Sequence, residues 1–354
     1  MAHTYDVTIV GAGIAGLAAA RELSRNGFRT VVLDKGRSVG GRMATRRIAG
    51  DSFDTGAQFF TAVTPEFSAV VETAAAAGVV TQWYQRPPRR SGGVPLPVWR
   101  GSGGMTDLPK WIAADQPEGS AMEIHLSTRV TALEPTGGRV LVWTEDTHQP
   151  PIETETVILT PPVPQLLELL PPGIATSIDP ETATIDYDPC LALLLTLEDP
   201  LPGLLNEHGW FRDPEPHTPI AWVADNAMKG LSPNDSRPAR TSDTSSRLTV
   251  HSSAATARRL YDDDHRALQE LTEALSALVP ADQRDYLKHA RSQSSLELKK
   301  WRYARPTRRA HDASVELTPR IIMAGDAFGG GRVEGAFTSG LHAAKRVLST
   351  GDQL

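Results

Sequence analysis

The sequence predicts an α/β fold: a parallel-sheet domain assembled from both ends of the chain, with a second domain, built on mixed or antiparallel sheet plus helices, inserted between them. Three observations predict it. An apolar strand, Val7 to Val10, runs into Gly11-Ala12-Gly13-Ile14-Ala15-Gly16, a small-residue helix, and a second strand, Thr30 to Leu33, that ends at Asp34. Near the other terminus a strand, Arg320 to Ala324, runs into Gly325-Asp326, Gly329-Gly330-Gly331-Arg332 and Val333-Glu334-Gly335-Ala336, which opens a helix reaching Ser349. Between them, Leu191 to Leu197, Ile220 to Ala224 and Arg247 to His251 read as strands of an antiparallel sheet.

The first unit predicts a Rossmann-like site for an adenine dinucleotide. Glycine at 11 permits the tight turn, glycine at 13 lets a pyrophosphate approach the backbone, and glycine at 16 lets the helix pack on the sheet. The helix N-terminus at Ile14 and Ala15 offers unpaired N–H groups to the phosphates. Asp34, about 20 residues beyond the glycines, suits a ribose diol and would repel a 2′-phosphate. Lys35 leads from it into Gly40-Gly41-Arg42-Met43, a second glycine pair with a guanidinium fork for phosphate oxygens, although a basic surface loop has the same composition. An ordinary NAD dehydrogenase has no need of this second clamp. It points to FAD.

The next segment, Asp54-Thr55-Gly56-Ala57-Gln58-Phe59-Phe60-Thr61, places an amide and two aromatics where they can flank a planar ring system. Taken alone it also reads as a strand with two core phenylalanines. The C-terminal turn supplies the rest: Asp326 can accept hydrogen bonds from a ribityl chain. The helix opening at Arg332, Val333, Glu334 and Ala336 can stabilise negative charge at the flavin's pyrimidine edge.

The elements between follow in order. Pro65 to Ala77 reads as a helix closed by Gly78, Trp83-Tyr84 begins a strand, and 86 to 104 is rich in Pro, Gly and Arg before a short helix. Leu126 to Leu133 and Val140 to Thr144 form a hairpin around Thr136-Gly137-Gly138, with Val130 brought towards the adenine. Thr156 to Thr160 is a buried strand ended by Pro161 and Pro162. Residues 229 to 247 are too polar and breaker-rich to fold alone and read as a mobile loop, either a lid or a passive insertion. Asp262 to Val279 is a surface helix, capped by aspartates, with Leu268, Leu271, Leu275 and Leu278 on one face and Pro280 as its stop. The expected domains are 1–61, 126–164 and 311–354 for the cofactor, and 62–125 with 165–310 for the substrate.

Composition excludes several classes. A net charge of −6 argues against nucleic acid or an anionic membrane as partner. The longest strongly apolar stretch, Cys190 to Leu197, is too short to span a bilayer, and no charged leader with an apolar core precedes the first strand, so a cytoplasmic protein is expected. One cysteine allows no internal disulfide, and Cys190 reads as a small core residue rather than a reactive thiol. Neither metal-ligand spacing nor a Ser/His/Asp hydrolase pattern is present, and no metal is expected.

The stretches GAGIAGLAAA, DKGRSVGGRMATRR, DTGAQFFTA, ILTPPVPQ, KWRYARP and AGDAFGGGRVEGAFTSGLHAA together resemble the renalase family, in its bacterial form, within the flavoproteins sharing a fold with p-hydroxybenzoate hydroxylase and monoamine oxidase. The resemblance implies non-covalent FAD and oxidation of misreduced dihydro-NAD(P) isomers to NAD(P), with O2 reoxidising the flavin to give hydrogen peroxide. It places Asp225-Asn226, His251 and Trp301 in the substrate pocket. Trp301 and Tyr303 are candidates for an aromatic wall, with Trp222, Asn226 and His251 above the ring; each also reads as an ordinary core or structural residue. Hydride transfer from a dihydropyridine needs no strong base, so positioning carries the reaction. The alternatives are a flavin amine oxidase or desaturase-like dehydrogenase, and a non-catalytic FAD-binding redox sensor.

Overall fold

The strand Thr4–Val10 lies between two parallel neighbours, Ile152–Leu159 and Thr30–Leu33, in a computed structural model that describes residues 4–88, 93–116, 121–197, 201, 203–213, 218–231, 245–279 and 296–351. Met122–His125 extends this sheet beyond Thr30–Leu33, and Ile321–Met323 extends it beyond Ile152–Leu159, with Val315–Thr318 antiparallel at that edge. Its central strands are apolar runs because alternate residues enter different cores. Val32, Ile158 and Ile322 pack on one face with Leu17, Phe67 and Phe337; Val31, Leu33, Val157 and Leu159 pack on the other with Leu166 and Tyr187. The hairpin Val130–Thr136 and Arg139–Thr144 joins through Val140 to Val142, which pair with Ile152 to Thr154.

Two helices from opposite ends of the chain cover the first face. Ile14–Arg25 crosses Val333–Gly351 so closely that a Cβ at Gly340 would lie 2.0 Å from the Ala15 carbonyl oxygen. The two ends of the chain therefore pack together on one face of the large sheet.

The second sheet is antiparallel, in the order Trp210–Arg212, Ile220–Asp225, Ser246–Ser252, Tyr187–Leu197 and Glu297–Pro306. Along Tyr187–Leu197 the period of two divides the side chains. Leu191, Leu193, Leu195 and Leu197 face a core with Leu260, Leu271 and Leu275, from the helices Ala254–Leu260 and Asp264–Leu278. Ala192 and Leu194 face Phe53, at the end of the hairpin Thr45–Ile48 and Asp51–Asp54. That contact joins the sheet to the segment carrying the candidate site.

Several expectations need correction. Met122–His125 is an edge strand of the large sheet rather than part of the second domain; its sequence, MEIH, has no apolar run because a short edge strand need bury only part of itself. Residues 96–101 of the Pro/Gly/Arg-rich stretch pair with Val80–Arg86. The expected surface helix does form, as Asp264–Leu278, with Asp263 capping it by accepting from the Arg266 N–H, and a separate short helix, Ala254–Leu260, precedes it; Pro280 lies outside the described residues. Of the polar loop, 232–244 lie outside the described residues, but its flanks are fixed: Lys229 and Leu231 are buried, and Ser246 opens a strand.

Candidate functional site

The dinucleotide cleft is built by the first glycine turn and the segment after the second strand. Gly11 has φ +107° and its N–H donates to the Leu33 carbonyl. Gly13 is different: its backbone, φ −73° and ψ 175°, suits any residue, and a Cβ there would meet nothing within 4 Å. Neither conformation nor packing within the chain demands glycine at 13, so the open space beside it fits an external group such as a pyrophosphate. Gly13 bridges Gly40, whose N–H donates to the Ala12 carbonyl, and Gly41 sits beside Gly13. The Asp34 carboxylate accepts from the Ala12 and Gly36 N–H groups, each at 2.6 Å, and so fixes the turn and its neighbour at once. The helix Ile14–Arg25 starts with no side-chain cap; Ile14 and Ala15 bury their side chains and can offer a ligand only backbone N–H groups. Lys35 is exposed at the rim, Val130 is buried in its hairpin, and Met43 is buried in the core, which leaves their backbones as the available contacts.

Arg42 and Asp326 are predicted as separate ligands of the cofactor, and the structure joins them. The guanidinium donates bidentately to the carboxylate at 2.6 and 2.7 Å, with its carbon 5.6 Å from the centre of the Tyr187 ring. Asp326 lies at the N-terminus of the short helix Asp326–Gly329, directly after Gly325, whose φ is +135°. Glu334 is a correction: its Oε1 accepts from the N–H groups of Val63 and Thr64 at the start of the helix Pro65–Ala76, because unpaired amides at a helix start attract a carboxylate. Arg332 is exposed, Val333 packs on the core and Ala336 is buried, so the helix contributes through its N-terminus rather than through these side chains.

Residues 54 to 60 form the junction between the domains. Asp54 is fully buried; its Oδ1 accepts from Thr45 Oγ1 and the Met105 N–H, and its Oδ2 from Lys229 Nζ at 2.5 Å. The Thr55 carbonyl accepts from Trp301 Nε1 at 2.9 Å and lies 3.1 Å from His251 Nε2. A carbonyl can only accept, so His251 carries its proton on Nε2 in this arrangement. The Gln58 amide donates to the carbonyls of Asp54 and Gly56, and its buried Oε1 has no partner among the described residues. The two phenylalanines part company: Phe60 is buried against Phe67 in the core and is not a ring-flanking residue, while Phe59 faces Trp83 and Trp222.

An aromatic wall does form, with a different membership from the expected one. Trp222 stacks on Trp210 with centroids 4.9 Å apart and planes 9° off parallel, and Tyr84 and His208 stack at 4.7 Å beside them. Tyr303 is not part of it: the ring packs edge-on against Tyr187 in the core below the large sheet, because it lies at the irregularity where the pairing of Glu297–Pro306 with Tyr187–Leu197 shifts register, and its carbonyl accepts from Arg42 there. Asn226 is also corrected. It is fully buried; its amide donates to the Arg247 carbonyl and Thr249 Oγ1, and its Oδ1 accepts from the Asp54 N–H, which leaves nothing to offer a substrate. Trp301 and His251 are brought together through Thr55. Trp83, Trp210 and Lys229 join the site without any local signal, since their partners lie far along the chain.

His251 has its pKa pushed from 6.5 down to about 4: burial lowers it, the Thr55 hydrogen bond pulls it back, and the Lys229 charge lowers it further. The folded state therefore binds fewer protons than the unfolded chain between these values, so the stability due to neutral His251 is complete above pH 6.5 and declines as pH falls towards about 4. His251→Gln, which keeps a donor for Thr55, is expected to flatten that part of the Tm-against-pH curve. Parallel curves for the two proteins would refute the assignment. Cys190 is partly buried, its thiol is pushed up to about 12 by burial, and it has none of the character of a reactive thiolate.

Fold and site define a Rossmann-like protein whose glycine-lined cleft fits a dinucleotide, joined to a second, antiparallel sheet. The chain belongs to the flavin containing amine oxidoreductase family, which residues 89–348 match, while residues 9–74 match the NAD(P)-binding Rossmann-like domain. That family is one of flavin-containing oxidoreductases. AofH of Mycobacterium tuberculosis, named as a flavin-containing monoamine oxidase, is 42% identical over 99 residues, which are 28% of this chain and 20% of that protein. Sarcosine oxidase subunit alpha of Corynebacterium sp. is 49% identical over 73 residues, 20% of this chain and 7% of that one. The chain thus spans a fifth or less of the length of these relatives. Among solved structures, putrescine oxidase bound to putrescine superposes with TM-score 0.69 at 14% identity, over 98% of this chain and 99% of that one. A protein from Exiguobacterium sp. named as a protoporphyrinogen oxidase gives 0.71 at 14% identity over 100% of both. At such identity these likenesses establish the fold. Among the described residues no helix is long and apolar enough to cross a membrane.

Proposed function

We propose that this protein is an FAD-dependent oxidase of misreduced dihydro-NAD(P) isomers, returning them to NAD(P), with O2 as acceptor and hydrogen peroxide as product. The observation that carries the reading is the sign of the charge around the aromatic wall. Arg86 places its guanidinium carbon 5.4 Å from the Phe59 ring centre and Lys299 its ammonium 4.9 Å from that of Trp301. The carboxylate of this cluster, Asp54, is sealed from solvent and paired with Lys229. Cations at a rim attract the phosphates of a dinucleotide and disfavour an ammonium substrate.

FAD, when bound, supplies the hydride acceptor. The wall of Trp222, Trp210 and Phe59 offers a planar dihydropyridine a flat apolar surface, worth about 1 kcal/mol per ring pair beyond area burial. Trp301 and His251 hold the Thr55 carbonyl, and with it the backbone that flanks the flavin. With neutral His251 and a closed Asp54–Lys229 pair, this cluster presents no strong base, which suits a donor that becomes aromatic as it gives up hydride. The renalase resemblance supports the same substrate.

A second reading, an amine oxidase, is favoured by the family match and by the aromatic stack itself, since such surfaces also flank amines. Anaerobic rapid mixing of the FAD-loaded protein with separated 1,2-, 1,4- and 1,6-dihydro isomers of NAD decides between them. Fast bleaching of the flavin by the 1,2- or 1,6-isomer is expected. No bleaching by any isomer, with bleaching by an amine, establishes the second reading.

A further inference from the structure

We propose that Lys229 is a positioning residue for the cofactor: with Asp54 it clamps residues 54 to 60 between the two domains and so fixes the side chains and backbone that flank the flavin ring. The proposal rests on FAD binding alone and is independent of the substrate. Both charged groups have no exposed side-chain surface, and Nζ lies 5.3 Å from the centre of the Trp83 ring. From the same turn, Asn226 accepts the Asp54 N–H, and the Lys229 N–H donates to the Asp225 carbonyl, so the turn grips Asp54 at both main chain and side chain. The next residue, Thr55, is held by Trp301 and His251 from the small sheet. All four of these partners, Asn226, Lys229, His251 and Trp301, belong to the small sheet or to the turn that follows its strand Ile220–Asp225.

A buried ion pair is a poor source of stability, because an apolar pair of similar volume does as well. What it contributes is direction. The ammonium is aimed at one carboxylate oxygen and at the face of Trp83, which touches Phe59, which in turn touches Trp222. Moving Lys229 therefore moves the backbone under the flavin and the aromatic wall together, whereas a purely packing role ties neither to the cofactor.

The test uses the FAD-loaded full chain and the double variant Lys229→Met/Asp54→Asn, which removes both charges without stranding either. We expect it to fold with a Tm near that of the parent, to bind FAD roughly tenfold more weakly on reconstitution, and to show altered quenching of flavin fluorescence. A folded double variant with unchanged FAD affinity and unchanged flavin fluorescence overturns the proposal. Hydrogen exchange of the unmodified protein gives an answer even where the variant does not fold. FAD loading is expected to slow exchange in both 54 to 60 and 226 to 231, and slowing confined to 54 to 60 overturns it. If the dihydronicotinamide reading fails, these outcomes are unaffected, since none involves a substrate.

Discussion

A Gly13→Val protein is expected to fold and to carry no FAD. The space beside Gly13 is open, since a Cβ added there would have no atom of the chain within 4 Å, and its backbone is extended. The Cβ of a valine therefore meets no atom of the protein beyond its chain neighbours. Gly13 is, however, the N-cap of Ile14–Arg25, and valine caps poorly, so about 1 kcal/mol of apoprotein stability should be lost. The ligand faces a larger effect: two methyl groups occupy the approach to the pyrophosphate, and FAD affinity should fall by at least about a hundredfold, or roughly 3 kcal/mol. Gly16→Val provides the contrast. There a Cβ would lie 1.9 Å from the Gly11 carbonyl oxygen, so the turn and helix cannot both keep their places and the apoprotein should unfold. Stoichiometric flavin in the purified Gly13→Val protein would sink the cofactor assignment.

Arg42→Met should be strongly destabilising without abolishing the fold. It strands the Asp326 carboxylate, whose side chain is 12% exposed, without its cation; Tyr187 Oη, 3.5 Å away, is a weak substitute. Breaking a buried pair typically costs about 3–5 kcal/mol, and with the guanidinium 29% exposed we expect about 3 kcal/mol. Arg42→Met/Asp326→Asn should regain most of that loss, because no charge is then left alone. Denaturant unfolding of the apoproteins gives the coupling energy directly. Additive losses would mean that the two side chains act separately. FAD affinity should fall in both variants, since the pair joins the Gly40-Gly41 segment to the C-terminal turn across the cleft.

Local sequence makes much of this legible. The turn at Gly11 and the helix after Val333 are read correctly because each is set by neighbours a few residues away. The central strands are read correctly because burial on both faces leaves a run of apolar side chains. What escapes has one physical cause. Met122–His125, Leu96–Gly101 and Glu297–Pro306 are strands whose partners supply the hydrogen bonds that their own polar sequences do not announce. Lys229 reads as the start of a polar loop because what explains it is a carboxylate 175 residues earlier.

The candidate site divides in the same way. By itself the sequence determined the cofactor class and the pairing of the chain's two ends, because phosphate binding needs glycines, a helix start and an acid at fixed local spacing. The family resemblance then supplied His251 and Trp301. Only the tertiary structure decided that those two meet at the Thr55 carbonyl, that Phe59 joins the wall while Phe60 enters the core, and that Tyr303, Asn226 and Glu334 serve the scaffold. Those outcomes depend on which way a side chain points once two sheets and a hairpin are docked. Docking is settled by long-range contacts such as Phe53 against Ala192 and Leu194, and by the burial of Asp54 with Lys229, which no local spacing encodes.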